Sequence, residues 1–427
     1  MRETLRQRNF ALLWCAGLIS LTGDWLLLIA LPIYVYTLTR STVVTSTVFI
    51  VEFVPPVLFG SVAGVFVDRW DRRKTMVLAS LLQAIALLPL VAVHSADRMW
   101  VVYVVSLVES VLAQFFTPAE QSLLPRLVGE EQLIAANSLT ALNSNVARLV
   151  GAPLGGVVAG LLGLNGTVLL DAASFLVACA LISAIAIPGP TRAPAPASSL
   201  ESTTTLWTGV WLEWVAGLKV IRRNATVSGV FVLMAVQSIA QGLFLVLFVV
   251  FVSTMLHGGV AEMGWLRGVQ AIGGLLGGVV VGALGNRIPA SRLIAGGTML
   301  FGLFDLAIWN APLIVPAYAT VAAVVLFVIV GLPGGAYFAG MTTLVQERVS
   351  DAYRGRVFGA FGTTSAFAQL AGMAMAGALG DRVGVLPLLD FQASLYLLAG
   401  LLALFLLHRT VTRTREAGAE SSSEACA

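Results

Sequence analysis

Four ionisable side chains sit deep inside long apolar runs: Asp24 in "SLTGDWLLL", Glu52 in "VFIVEFVPP", Glu109 in "YVVSLVESVL" and Arg148 in "SNVARLVGA". A charged group in such surroundings is expensive and marks a functional candidate. Carboxyls held away from water can take up and release protons, or attract organic cations, as their environment changes. Asp24 leads the set, because nothing in its own run offers a counter-charge. Arg148 is its candidate partner, either in a permanent structural ion pair or in one that conformational change rebalances. Glu109 and Glu52 are the next proton or cation candidates; the alternative for each is a side chain that snorkels or bonds to backbone. The chemistry these residue types support is proton exchange coupled to another movement.

Other chemistry finds little support. The histidines, His94, His257 and His408, lie near the ends of apolar runs and far apart. No phosphate loop of the Gly-x-x-x-x-Gly-Lys-Ser/Thr type occurs, and no His/Cys cluster suits a metal. Cys15 and Cys179 are in apolar runs and Cys426 is near the end, which suggests no disulfide framework. Neither an enzyme nor an ATP-driven pump is expected, and no cofactor. The net charge of +3 is too small to imply a nucleic-acid partner.

The elements that must carry these residues are read from composition. The chain has 427 residues, 58% hydrophobic and only 11% charged, above the roughly 45–50% apolar share of soluble domains. Apolar stretches of about 20 residues recur, the length a helix needs to cross about 30 Å of hydrocarbon. Twelve are expected, at approximately 10–37, 43–67, 75–95, 99–119, 137–163, 166–188, 225–256, 260–285, 292–311, 316–340, 355–379 and 387–407. They lack period-2 alternation, so a helical rather than barrel architecture follows. The reading is an all-α polytopic membrane protein. Counting 1.5 Å per residue from each start, Asp24 lies about 20 Å deep, Arg148 about 16 Å, and Glu52 and Glu109 about 14 Å.

Orientation follows from the cations. With the N-terminus inside, most of the 25 lysines and arginines fall in cytoplasmic segments. The exceptions are Arg40, Arg98, Arg267 and Arg382 on the outer side, with Arg148 inside a span. Both termini are therefore expected in the cytoplasm, in a multi-pass protein of the cell membrane.

The chain also repeats itself at an offset of about 220 residues. "GVFVDRWDRR" (64–73) is echoed by "GALGNRIPAS" (282–291), "VLLDAASFL" (168–176) by "PLLDFQASL" (387–395), and "RLVGEEQL" (126–133) by "ERVSDAYR" (347–354). Between the copies, 189–208 is rich in Pro, Ser and Thr and reads as a linker. The expected domains are a six-helix half at 1–188, a cytoplasmic linker at 189–208, a second six-helix half at 209–408, and a disordered tail at 409–427. Two six-helix repeats joined by an inside linker are the layout of transporters that rock about a central site.

At this point the residues resemble a family. Gly64-x-x-x-Asp68-Arg69-x-x-Arg72-Arg73 is similar to the helix 2–3 signature of the major facilitator superfamily. "RLVGAPLGG" (148–156), with Gly151, Pro153, Gly155 and Gly156, resembles the helix-5 motif of its drug/proton antiporters, although Ala152 separates Gly151 from Pro153. "RNFALLWCAGLISLTGDWLLLIALPIYVY", "FFTPAEQSLLPRLVGEEQLIAANSL" and "YRGRVFGAFG" resemble the macrolide-efflux and enterobactin-exporter branch. The resemblance covers roughly residues 5–408. It implies twelve helices in the major facilitator fold. It also implies that Asp68 latches the halves on the cytoplasmic side, near 351–356, with Arg69 and Arg72 organising the turn. Asn286 replaces the acid in the second copy.

Within that fold, the second half offers Gln237, Gln241 and Gln369, with Phe244, Phe338, Met341 and Phe367, as cavity walls; the alternative for the aromatic residues is simple packing. Asp171 and Asp390 are expected near outer helix ends in structural roles, and Asp305 on an outer face. "GGLLGGVVVG" (273–282) is expected to serve close helix packing. The resulting expectation is a secondary exporter of amphipathic small molecules of the drug, macrolide or siderophore type. It would work by proton antiport with alternating access, as a monomer in the bilayer, with the proton gradient as energy source. A lipid or lysophospholipid translocator, or an importer, of the same fold is the alternative, and a non-transporting membrane sensor a remote one.

Overall fold

A computed structural model describes the backbone of residues 2–186, 214–215, 217–284 and 288–424. The expected linker at 189–208 and the repeat partners Asn286 and Arg287 lie outside the described residues. After a one-turn helix, Arg2–Arg6, the chain forms α1 (Arg8–Thr39), α2 (Thr42–Arg69), α3 (Arg72–Leu87) and α4 (Met99–Val128). A 51-residue helical run, Leu133–Ser183, follows. At 1.5 Å per residue it would reach about 75 Å, more than twice a hydrocarbon core. Gly163 breaks it, with φ 68° and ψ −170°, a conformation that only glycine adopts easily. The two parts are α5 and α6, and the break falls between the two spans expected from the sequence.

The second half carries α7 (Ala225–Thr254), α8 (Val260–Leu284), α9 (Ala290–Ile314), α10 (Ala319–Arg348), α11 (Asp351–Val383) and α12 (Val385–Glu424). The protein is an all-α polytopic membrane protein, with twelve long helices among the described residues. Ten helical runs among the described residues are long and apolar enough to span a bilayer on length and composition. The remaining two are accounted for by the Gly163 break and by α11, whose Gly, Thr and terminal charges dilute its apolar content. The last helix continues to Glu424, so 409–424, expected to be disordered, carries helical backbone; its Arg, Glu and Ala residues are good helix formers.

Two compact units divide the chain. The first comprises Met1–Leu206 with Phe248–Gly268, the second Trp207–Leu247 with Val269–Ala427. The tip of the α7–α8 hairpin thus belongs to the first unit, across the division expected at 208/209.

Within the first unit two apolar cores lie along α1. One gathers Phe10, Leu13 and Ala16 with Met76, Leu123, Leu139 and Ile182. The other gathers Leu31 and Val35 with Val48, Leu87, Leu90, Val105 and Phe175. Asp24 sits on α1 between them. In the second unit, a core of Val230, Leu233, Ile294, Val345, Phe361 and Ala399 packs α7, α9, α10, α11 and α12 together.

Candidate functional site

In the first unit a cavity of about 350 Å³ opens among α1, α2, α3, α4 and α6. Its α1 wall is Asp24, Leu27, Leu28, Leu31 and Pro32, the i, i+3, i+4, i+7, i+8 face of one helix. Asp24 is exposed to this space, and Glu52, Glu109 and Asp171 join it from α2, α4 and α6. The carboxyls act on one another electrostatically: Asp24 feels Glu52, Glu109 feels both, and Asp171 feels Asp24 and Glu109. Proton or cation binding at one is therefore coupled to the others.

Each carboxyl is held locally. Gln83 Nε2 donates to Glu109 Oε2 at 3.0 Å, while Glu109 Oε1 is buried without a hydrogen-bond partner. Ser174 Oγ donates to Asp171 Oδ1 at 3.3 Å. Pro56, on the cavity wall, has no N–H, so the carbonyl of Glu52 four residues earlier loses its intrahelical donor. Ser110 Oγ of α4 donates to that carbonyl instead, which ties α2 to α4 beside the acids. Gly23 allows α1 to approach α6: a Cβ there would collide with Asp171 Oδ1 and Ser174 Oγ.

Three of the four sequence candidates, Asp24, Glu52 and Glu109, are thus brought together, and Arg148 is not. Arg148 and Asp24 form no ion pair. Gly151 faces Trp25 and Thr22, and Gly155 faces Leu26. Those residues lie 100° to 160° around α1 from Asp24 at 100° per residue. Arg148 lies on the seam between α5 and α8 instead. There the helices run antiparallel with Gly156 against Ala261, Ala152 against Gly264 and Pro153 against Gly268. One turn further the register brings Arg148 level with Arg267, within electrostatic reach. Arg148 Nε is buried without a hydrogen-bond partner, and the Arg267 guanidinium lies 6.0 Å from the Phe248 ring centroid. Arg267, expected on the outer side, is inside α8. The helix-5 glycines serve this packing: a Cβ on Gly151 would stand 2.6 Å from Trp25 Cβ, on Gly155 2.9 Å from Leu26 Cα, and on Gly156 2.9 Å from Ala261 Cα.

Asp171, expected to be structural, is a cavity wall residue. Nothing in a single sequence reveals the rotation of α6 that turns it inward. Gln83 was also missed, although a lone amide in "SLLQAIAL" is a visible signal.

In the turn after α2, Gly64, Asp68 and Arg69 form the last residues of the helix, and their side chains lie outside the described residues. Asp71 caps α3, accepting from Lys74 N at 2.9 Å. Arg73 Nη1 donates to the Ile185 carbonyl at 2.7 Å, fastening the turn to the end of α6. Arg72 is half-buried, with Nε lacking a hydrogen-bond partner.

The second unit holds a larger pocket, about 480 Å³, with no carboxylate, lysine or arginine in its walls. Gln237, Gln241, Phe338 and Met341 line it as expected, with Ser238, Ser365, Tyr337 and Tyr396 as further polar groups. The hydroxyls of Ser238 and Ser365 are 2.7 Å apart, and Gln237 Nε2 donates to Thr298 Oγ1 at 2.9 Å. The other expected wall residues lie elsewhere. Phe244 is buried, its ring 6.0 Å from that of Trp309. Phe367 is exposed, and the Gln369 carbonyl packs against Gly242. Behind the pocket, Asp305 is 3% exposed. It was expected on an outer face, yet it points inward, where Gln392 Nε2 donates to its Oδ2 at 2.9 Å. Asp390, its neighbour on α12, accepts from Asn310 Nδ2 at 2.8 Å and is absent from the pocket walls.

Comparison with known proteins agrees with this architecture. The model of a family described as transmembrane secretion effector matches residues 3–425. The chain is 27% identical over 387 residues to macrolide efflux protein A of Streptococcus pyogenes, covering 88% of this chain and 90% of that protein. It is 27% identical to the multidrug efflux pump Tap of Mycolicibacterium fortuitum, covering 92% and 94%. The crystal structure of the nucleoside transporter NupG superposes with a TM-score of 0.73 at 14% identity, covering 93% of this chain and 99% of that one, which is a likeness of fold. Because that family model spans nearly the whole chain and the similar proteins are transporters, the chain belongs to the transmembrane secretion effector family, within the major facilitator transporters.

Proposed function

We propose that the protein exports amphipathic small molecules of the macrolide type by proton antiport with alternating access. The observation that carries this reading is the convergence of Asp24, Glu52, Glu109 and Asp171 on one cavity. No lysine or arginine joins them on its walls. Such a set binds cations, and the smallest available is the proton. The pocket of the second unit complements it, with Met, Phe and Tyr surfaces and a few amides and hydroxyls, which suits a large, mostly uncharged molecule. The efflux proteins to which the chain is similar support macrolide-like cargo and outward direction. In this reading the protein works as a monomer in the cell membrane, with both termini cytoplasmic and the 189–208 linker between the halves. Asp68 latches the cytoplasmic side, and the proton gradient is the energy source, without a cofactor.

The test is accumulation of radiolabelled erythromycin in inverted membrane vesicles with an imposed pH gradient. Wild type should accumulate the drug, and an uncoupler should abolish accumulation. Asp24→Asn and Glu109→Gln should each lose gradient-driven accumulation by at least tenfold while retaining drug exchange at equal pH, because they remove proton exchange and leave the second pocket intact. Full gradient-driven accumulation by the triple variant D24N/E52Q/E109Q would reject the proton reading. Absence of any erythromycin movement in wild type would reject the cargo.

A further inference from the structure

A second buried polar group lies in the first unit, outside the acidic cavity and nearer the N-terminal end of α1. Asn143 of α5 is 2% exposed. Its Nδ2 donates to the Trp14 carbonyl of α1 at 3.0 Å, while its Oδ1 is buried without a hydrogen-bond partner. A backbone carbonyl can only accept, so Trp14 holds the amide nitrogen toward itself and the amide cannot flip. The orphaned Oδ1 therefore calls for a donor. Glu120 of α4 is the ionisable group beside it. Both side chains converge on Gly17 of α1: a Cβ there would stand 3.0 Å from Asn143 Nδ2 and 3.8 Å from Glu120 Oε1. The missing Cβ leaves room between them. Among the described residues no hydrogen bond or ion pair holds the Glu120 carboxyl.

This pair is in register with the cavity. Gly17 and Asp24 are two turns apart on one side of α1, about 10 Å along the axis and about 20° round it. Ser20 lies between them, 6% exposed, and its hydroxyl donates to the Gly17 carbonyl at 3.4 Å. On α4, Glu109 and Ala113 are both cavity walls, and each stands within about 20° of Glu120 at 100° per residue. The cations of these three helices point elsewhere. Arg8 is about 180° from Gly17 on α1, Arg126 about 120° from Glu120 on α4, and Arg148 about 140° from Asn143 on α5. Trp70, beyond α2, stacks on Phe115 with centroids 5.8 Å apart, about 140° round α4 from Glu120. Arg72, Arg73 and Lys74 of α3 form no ion pair with Glu120 among the described residues, and Arg73 is held by the Ile185 carbonyl.

We propose that Glu120, paired with Asn143, is a second proton site of the first unit, through which protons from the acidic cavity leave toward the cytoplasm. A proton released by Asp24 passes by water along the Ser20 side of α1 and forms an O–H bond on Glu120. That O–H supplies the donor that Asn143 Oδ1 lacks. When the O–H bond breaks, the proton goes to water at the N-terminal end of α1 and the electron pair stays on the carboxylate. Asn143 serves this form too, because only one of its two amide N–H groups is taken by Trp14 and the other can donate to Glu120. One amide thus meets both charge states without moving, which suits a site that a proton enters and leaves. Gly17 is the positioning residue, since any larger side chain would fill the space in which the two groups meet. The direction of proton movement rests on the proposed function, whereas proton binding at Glu120 does not.

Two measurements on the purified full chain in lipid separate these parts. The first is infrared difference spectroscopy between acid and alkaline pH, which needs no cargo. Wild type should show a protonated-carboxyl C=O band that Glu120→Gln removes, Asp24→Asn leaves, and Asn143→Leu shifts in frequency. A merely structural or solvated Glu120 would give a band that Asn143→Leu does not move, and that result overturns the inference. The second is erythromycin transport into proteoliposomes at a constant pH difference, with both pH values lowered together. The wild-type rate should fall as the exit site stays loaded. Glu120→Gln should transport about a hundredfold more slowly, the low end of what a positioned proton-transfer group contributes, and should lose that fall. Glu120→Asp should restore part of both. A wild-type rate and pH profile in Glu120→Gln overturns the exit route. If Glu120→Gln or Asn143→Leu fails to fold, Gly17→Ala decides, since it keeps both polar groups and fills the space between them. It should shift the same band and slow gradient-driven transport, and an unmoved band there overturns the inference. If wild type moves no erythromycin, the cargo assignment falls and the infrared result alone decides the proton site.

Discussion

Ser110 and Pro56 show how single residues build the acidic cavity. The proline strips one backbone donor from α2 beside Glu52, and the serine of α4 restores it. Removing the hydroxyl leaves a buried carbonyl unsatisfied, a loss of about 1–3 kcal/mol. Ser110→Ala should therefore lower stability in a detergent-resistance or chemical-denaturation assay. In a Pro56→Ala background, where the helix supplies its own N–H, the same substitution should cost much less. Equal losses in both backgrounds would show that the bond contributes nothing. At this scale the sequence was partly legible. Asp24, Glu52 and Glu109 stood out because carboxyls in apolar runs are rare, and depth along a helix can be counted. Rotation about the helix axis cannot be counted, and that is where the reading failed: Arg148 faces α8 rather than Asp24, while Asp171 and Asp305 face inward. Repeat symmetry misled as well. Asp171 and Asp390 occupy matching positions, yet Asp171 lines the acidic cavity while Asp390 is not among the walls of the second unit's pocket.

At the scale of elements, the helices followed from hydropathy and length, and their packing depended on glycines whose roles the sequence could not rank. Gly163 and Gly160 make the contrast testable. Neither would place a Cβ against any neighbour, but Gly163 has φ 68° and Gly160 has ordinary helical geometry. Gly163→Ala should cost about 1–3 kcal/mol from backbone strain alone. Gly160→Ala should be neutral or stabilising by up to about 1 kcal/mol, since alanine is the better helix former. Thermal melting of the two variants in the same detergent checks this, and equal melting temperatures would reject the break as a conformational requirement. The resemblance identified the motif Gly151, Pro153, Gly155 and Gly156, and the structure supplies its physical reason: two glycines admit α1, and the third glycine with the proline admits α8. The 273–282 stripe behaves likewise, with Gly273 and Gly277 against the backbone of α10. The break of α5 from α6 was legible as two apolar spans, and the lower apolarity of α11 did not hide it from the repeat.

At the scale of the whole molecule, composition alone located the chain in a membrane, and the approximate repeat gave six helices to each half. What composition could not reveal is how differently the two units are furnished: four carboxyls on the wall of one cavity, none on the walls of the other pocket. That asymmetry has an electrical consequence. If protons travel inward through the acidic unit while an uncharged molecule leaves, every cycle moves net positive charge across the bilayer. Each charge then draws about 2.3 kcal/mol per 100 mV from the membrane potential, beyond what the pH difference supplies. A cargo bearing one positive charge, exchanged for one proton, would move none. Clamping the voltage to zero with valinomycin and equal potassium should therefore slow efflux of an uncharged probe and spare that of a monocation at the same pH difference. Identical slowing of both would show that cargo charge does not enter the balance. On the expected outcome the protein is a current source whose sign and size are set by the molecule it expels, and a cell that loses its voltage would stop clearing neutral compounds before it stopped clearing cationic ones.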